Sequence, residues 1–228
     1  MSINSILSSA IACLIFFSSA AQNQVGKNIA DHLLIKNAEN DIYGDTEKET
    51  IGSPYLNETF VPGDAYTFST KFTDVPMRYN IHNDHIEFKQ NSQTYILDPE
   101  PRVNKVTFDN KTFVVLKYEY KGKGKFGYLQ LLDSGKVMLL AKKMVLYREE
   151  QAPKALESSS TPAQFTNIPD LYFYKIENGD VMRIENLKQM TESFPNQKDA
   201  LSQFIKKEKI SVKKEADLIK LIKYYNSL

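Results

Sequence analysis

Between residues 55 and 148, short runs rich in aromatic and β-branched side chains recur at nearly even spacing, and this rhythm limits the fold more than any other feature. The runs AYTFST, MRYNIH, HIEFK, QTYILD, KVTFD, TFVVLKYEY, FGYLQLL and KVMLLAKKMVLY are separated by TDVP, ND, QNS, PEPRV, DNK, KGKGK and DSG. Side chains of the first kind pack on a pleated sheet, while Gly, Pro, Asn and Asp supply turns. The pattern predicts an antiparallel meander of about eight strands, either a curled sheet or a closed barrel, since both hide an apolar face and manage strand edges. Thirteen Tyr and thirteen Phe with no Trp suit such a sheet.

The flanks read differently. Residues 1–21 contain no charged side chain, and their apolar stretch, residues 6–17, is too short to span a bilayer. They read as a signal peptide cleaved before Gln22, so no transmembrane span is expected in the mature chain. The single cysteine, Cys13, lies inside this leader, and the apolar run continuing past it argues against a lipoprotein cleavage site. With Cys13 removed, disulfides, thiolate metal sites and cysteine nucleophiles go together. Residues 22–52 form a polar lead-in, residues 53–149 the antiparallel β domain, and residues 150–168 a Pro- and Ser-containing linker or long loop.

Residues 169–228 predict a hairpin and a helical tail packed on the β domain, making the class mainly β with α (α+β). Asn178-Gly179 suits a two-residue hairpin turn. Asn186 with Gln189, Asn196 with Asp199, and Ser211 are candidate caps for three short helices. In the last helix Leu218, Ile219, Ile222 and Tyr225 share one face, which should dock on the sheet of the same molecule.

The nearest approach to a reactive site is MRYNIHNDHIEFK, which carries two of the three histidines. If Asn83 and Asp84 form a two-residue turn, Ile81 faces Ile86, Tyr79 faces Phe88, and His82 faces His85. Tyr79, Ile81, Ile86 and Phe88 would then be buried, with His82, His85 and Glu87 neighbours on the polar face. Two imidazoles and a carboxylate could ligate a divalent metal as in a hydrolase, whereas the opposing reading is a plain polar turn. On the plain reading both histidines are replaceable by Thr, and Asp84 by Gly, without loss.

Other motifs carry less. YKGKGKFGY lacks the spacing of a phosphate-binding loop, and its lysines read as protection for strand ends. The lysines of residues 206–214 could meet anionic headgroups but read as solvated helix faces. The NxT patterns at Asn57 and Asn110 would be silent in a bacterial source. His32 sits in the lead-in, and no nucleophile has a histidine base beside it, so no catalytic residue and no cofactor is indicated. The net charge of +1 gives no field selecting nucleic acid.

SPYLNETFVPG, VPMRYNIHNDHIEF, GYLQLLDSGKVMLLAKK and the Lys-rich tail ending near Tyr-Tyr-Asn resemble a group of uncharacterised secreted or envelope proteins of the Bacteroidetes. The resemblance covers most of the chain from about Ser53, omitting the linker. It implies a periplasmic or outer-membrane-associated setting, carries no assigned chemistry, and does not hold the turn positions to histidine. The reading is an exported, non-enzymatic envelope module that binds another cell-surface component, with a small-apolar-ligand carrier as the alternative.

Overall fold

Three hairpins close on residue pairs in which both members take positive φ: Asn91 and Ser92 (50° and 65°), Asp109 and Asn110 (48° and 55°), Lys121 and Gly122 (51° and 72°). Such mirror-image turns match the right-handed twist of strands and allow two-residue connections. In the structure, a computed structural model that describes residues 29–30, 50–153 and 159–228, they help to order thirteen strands. These are β1 (Thr50–Ile51), β2 (Val61–Thr67), β3 (Lys71–Asn80), β4 (His85–Gln90), β5 (Gln93–Leu97), β6 (Val103–Phe108), β7 (Lys111–Tyr120), β8 (Lys123–Asp133), β9 (Val137–Lys142), β10 (Val145–Arg148), β11 (Ala163–Asn167), β12 (Leu171–Ile176) and β13 (Val181–Arg183). Helices α1 (Leu187–Glu192), α2 (Lys198–Glu208) and α3 (Glu215–Ser227) follow, with a 3-10 turn (Pro195–Gln197) before α2. The leader, Cys13, His32, most of the lead-in and residues 154–158 of the linker lie outside the described residues.

The main sheet has ten strands in the order β13-β12-β9-β8-β7-β6-β2-β3-β4-β5. Each of the eight expected runs contributes, and the C-terminal hairpin joins the same sheet, β12 pairing with β9 and β13 with β12, which is why the expected number was too low. A parallel pairing of Val181 with Tyr118 brings β13 back to β7. Strands β7, β8, β9, β12 and β13 therefore close on themselves around Tyr118, Leu129, Leu140 and Phe173, while the rest of the sheet stays open and curls. Tyr79 of β3 packs against Phe113 of β7 and Tyr128 of β8, at centroid distances of 5.2 and 6.0 Å. Both faces of β7 are thus used, Phe113 and Val115 toward one core and Val114 and Leu116 toward the other. Ile29 and Ala30 are helical and complete the first core.

Several local expectations change. TDVP lies within β3, and the chain turns at residues 68–70 instead. The run KVMLLAKKMVLY breaks after Lys142, and β10 leaves for a second sheet of order β1-β11-β10. Residues 163–167 of the expected linker are the central strand of that sheet, paired with β1 on one side and β10 on the other, with Ala163 and Phe165 buried. Asn178-Gly179 is not a two-residue turn: Lys175 pairs with Val181, and the Gly179 N–H donates to the Ile176 carbonyl across Glu177 and Asn178.

The tail docks on the sheet. Leu218, Leu221 and Ile222 are at most 1% exposed and pack with Val137, Leu139 and Tyr174. Burying each such side chain contributes roughly 1.5–3 kcal/mol. Ile219 and Tyr225 are only partly buried, and Leu221 was not in the expected stripe. Asn186 caps α1 as expected, accepting from the Gln189 N–H at 2.8 Å. Asn196 caps nothing, since the 3-10 turn occupies it and α2 starts at Lys198. Ser211 precedes the α3 cap, Lys214, and the Asp217 carboxylate reaches back to the Ser211 N–H at 3.0 Å.

Candidate functional site

The β3–β4 connection is a four-residue loop, residues 81–84, with Asn80 facing His85, Tyr79 facing Ile86 and Arg78 facing Glu87. The expected register is shifted by two residues, so the faces are kept and the partners change. Tyr79, Ile81, Ile86 and Phe88 are buried, as the alternation required. The loop is held by Asn80, whose Oδ1 accepts the Asn83 N–H at 3.0 Å, and by Asp84, which takes φ 57°.

The polar face of this hairpin is covered rather than solvated, because the segment before β2 straps across it. Pro54 accepts the Ile81 N–H at 2.8 Å and Leu56 donates to the Tyr79 carbonyl at 2.9 Å. Glu87 lies beneath, receiving Arg78 Nε at 2.8 Å, the Tyr55 hydroxyl at 3.0 Å, and contacts from His85 Nε2 and Asn80 Nδ2 at 3.5 Å. The Arg78 guanidinium lies between the rings of Tyr55 and Phe60. Burial alone would raise the Glu87 carboxyl, but the hydrogen bonds from His85 and Arg78 and the Arg78 charge hold it down at about 2.

This arrangement does not assemble the three metal-ligand candidates. His85 and Glu87 meet, with both Glu87 oxygens engaged by Arg78, Tyr55 and their neighbours. His82 leaves them and sits edge-on to Tyr147 of β10 and Phe165 of β11, at 5.7 and 5.4 Å. Burial lowers its pKa and favours the neutral ring. Among the described residues no group of three or more His, Cys, Asp and Glu is placed to hold a metal.

Asp84, expected to be a replaceable turn residue, is the centre of a buried polar cluster. Its Oδ1 accepts the Lys142 ammonium, the Tyr79 hydroxyl at 2.8 Å and the Tyr128 N–H at 3.2 Å. Lys142 also bonds the Tyr79 hydroxyl at 2.8 Å and the Tyr128 carbonyl at 3.2 Å, so its three donors are all used. Burial lowers the Lys142 amine to about 8, against the raising influence of Asp84. Asp84 Oδ2 is buried without a hydrogen bond. It lies against Gly127 of β8, where a Cβ would come within 2.7 Å of both this oxygen and the Tyr118 ring. Only glycine permits that approach.

Over this cluster opens a cleft of about 140 Å³ between three parts of the chain. The β3–β4 loop gives Ile81, His82 and Asp84, the facing ends of β7 and β8 give Tyr118, Tyr120 and Lys125, and the β9–β10 junction runs from Lys142 to Val145. Lys125 was expected in a loop but belongs to β8, because the hairpin turns on Lys121 and Gly122. Its side chain is about half exposed, and its Nζ stands 3.9 Å from Asp84 Oδ2. Lys143 is paired with Asp170 at 2.7 Å. A wider hollow of about 710 Å³ lies open beside β2 and β6, where Asp64 and Asp109 already bond Lys71 and Lys111.

The cluster was missed because Lys142 was counted within an apolar run. A lysine in phase with Leu140 and Met138, with apolar residues on both faces of the strand, was the available signal of a buried charge needing a partner. No helix among the described residues is long and apolar enough to cross a membrane. Neither a protein-family model, nor a curated protein, nor a solved structure matches this chain.

Proposed function

We propose that the protein is an exported, non-enzymatic binding module of the Gram-negative cell envelope, and that the cleft over Asp84 is its recognition site. The observation that carries this reading is a concave surface lined by Tyr118, Tyr120 and the half-exposed Lys125, held in place by the buried Asp84 cluster beneath it. Export is supported by the uncharged leader of residues 1–21.

The charged groups around the cleft favour binding over catalysis. Lys142 has an acceptor for each proton, and Lys143 is paired, so neither is poised to attack or to abstract. The carrier reading is less well supported, because Phe113, Tyr128 and Leu129, fully buried side chains of β7 and β8, fill the core where an internal cavity would lie. The metal-hydrolase reading loses its ligand set with His82 turned toward β10 and β11.

Sedimentation of the full mature chain with isolated envelopes of a Bacteroidetes species tests the proposal. The expected result is co-sedimentation that falls at least fivefold when Tyr120→Ala and Lys125→Met are combined. A chain that stays in the supernatant, or a double variant that sediments like its parent, overturns it.

A further inference from the structure

We infer that the β2–β3 turn is a membrane-contact tip, which inserts Phe68 among the headgroups of an anionic phospholipid bilayer while Lys71 and Lys105 meet the lipid phosphates. Phe68 is 79% exposed, and the next large apolar side chain among the described residues, Ile51, is 48% exposed. A lone exposed apolar residue is ordinary on a protein surface. What sets this one apart is how it is held and what stands behind it.

The turn fixes the place of the ring. Residues 68–70 join β2 to β3, and Thr67 closes them: its N–H and its hydroxyl donate to the Thr70 carbonyl at 2.9 and 3.0 Å, and the hydroxyl accepts the Thr70 N–H at 3.0 Å. These groups need no water when the turn enters a headgroup layer. The hydroxyls of Ser69 and Thr70, 3.5 Å apart, flank the tip and suit the same polar layer.

One row back the surface becomes aromatic and cationic. Tyr66 pairs with Lys71 of β3 on one side and with Lys105 of β6 on the other. Residues paired in this way share a face, and both ammonium groups rest on the Tyr66 ring, at 5.1 and 4.2 Å from its centroid. Lys71 also bonds Asp64 at 2.9 Å, whereas Lys105 has no carboxylate partner among the described residues, so the group keeps a surplus of positive charge. Phe68 lies two residues beyond Tyr66, at most about 7 Å at ~3.3 Å per residue. Interfacial side chains sink roughly 5–10 Å into the headgroup boundary, so the ammonium groups stand at phosphate depth when the ring is inserted.

A protein partner fits the tip less well. A projecting turn with one apolar side chain offers little flat area, and stable protein interfaces take roughly 800 Å² from each partner. A fluid headgroup layer parts around a small wedge. One ring holds the chain weakly, so the contact adds to recognition in the cleft and does not replace it.

The chain contains no Trp, so Phe68→Trp in the full mature chain makes a single fluorescent reporter at the tip. Vesicles of equal parts phosphatidylethanolamine and phosphatidylglycerol, at millimolar lipid, are the probe. The emission of Phe68→Trp should shift to the blue on adding vesicles and be quenched by brominated acyl chains, while Phe126→Trp, at another exposed aromatic position, does neither. In sedimentation with the same vesicles, Phe68→Ser should lower the bound fraction at least fivefold and Lys105→Gln at least twofold. The combined Tyr120→Ala and Lys125→Met variant should bind vesicles like its parent. Circular dichroism checks that each variant folds, and the emission of Phe68→Trp decides if Phe68→Ser does not. An emission unmoved by vesicles, a folded Phe68→Ser or Lys105→Gln chain that sediments like its parent, or loss of vesicle binding in the combined cleft variant overturns the inference. If envelopes retain the parent and the cleft variant alike while vesicles release Phe68→Ser, the reading of the cleft falls and the membrane tip stands.

Discussion

The Lys142 ammonium and the Asp84 carboxylate meet across 58 positions of the chain, and their bond fastens the β3–β4 loop to β9. Both side chains are buried, so removing either one strands the other. Asp84→Asn and Lys142→Met are each expected to cost roughly 3–5 kcal/mol. The combined variant should cost clearly less than the sum of the two, as a urea double-mutant cycle would show. Strictly additive losses would mean that the pair is not coupled. For the same reason Asp84→Gly is expected to be destabilising, although glycine relieves the positive φ.

Glu87 sets an acid dependence. Its folded carboxyl titrates at about 2 and an ordinary one near 4.5. The unfolded chain therefore takes up a proton first as pH falls. The stabilisation is fully present above pH 4.5 and disappears progressively toward pH 2, with a magnitude on the order of 3 kcal/mol. Urea midpoints measured from pH 6 to pH 2.5 should fall in the parent and fall less steeply in Glu87→Gln.

In the tail, Ile222→Ala should cost roughly 2–4 kcal/mol, because the side chain is fully buried against β9 and cannot be replaced by solvent. Ile219→Ala, on the half-buried flank, should cost less than half as much. Equal and small losses, below about 0.5 kcal/mol, would place the helix face outside the core.

Asn226 joins the last helical turn to the start of β9. Its Oδ1 accepts the Val137 N–H at 2.9 Å and its Nδ2 donates to the Val137 carbonyl at 3.1 Å, imitating a neighbouring strand. Gly135 leaves room for it, since a Cβ there would meet the carboxamide at 2.6 Å. Asn226→Ala is expected to lose about 1–3 kcal/mol, having left both groups of Val137 unpaired. Asn226→Asp keeps the acceptor alone and should also destabilise, by loss of the donor.

The parts of the fold that depend on local patterning were legible in the sequence. Alternation placed Tyr79, Ile81, Ile86 and Phe88 on the buried face despite the wrong register, since a shift of two residues preserves faces. The cap at Asn186 was legible because its partner is three residues away. What failed depends on distant chain. β11 was read as linker because its strand character comes from pairing with β1 and β10, not from its own composition. The polar face of the hairpin was read as solvated because nothing local announces that Pro54 and Leu56 cover it. The Asp84 cluster draws on Tyr79, Tyr128 and Lys142, three residues on three strands, and only the lysine inside an apolar run hinted at it.

The most direct test of the recognition site is lysine footprinting of the full mature chain by brief reductive methylation, with and without isolated envelopes, read residue by residue by mass spectrometry. Lys125 should be protected at least threefold when envelopes are present, while Lys123 and the exposed lysines of the tail, Lys206, Lys207, Lys213 and Lys214, are labelled as before. Lys125 labelled equally in both conditions, or protection falling on the tail lysines in its place, would contradict the assignment of recognition to the cleft over Asp84.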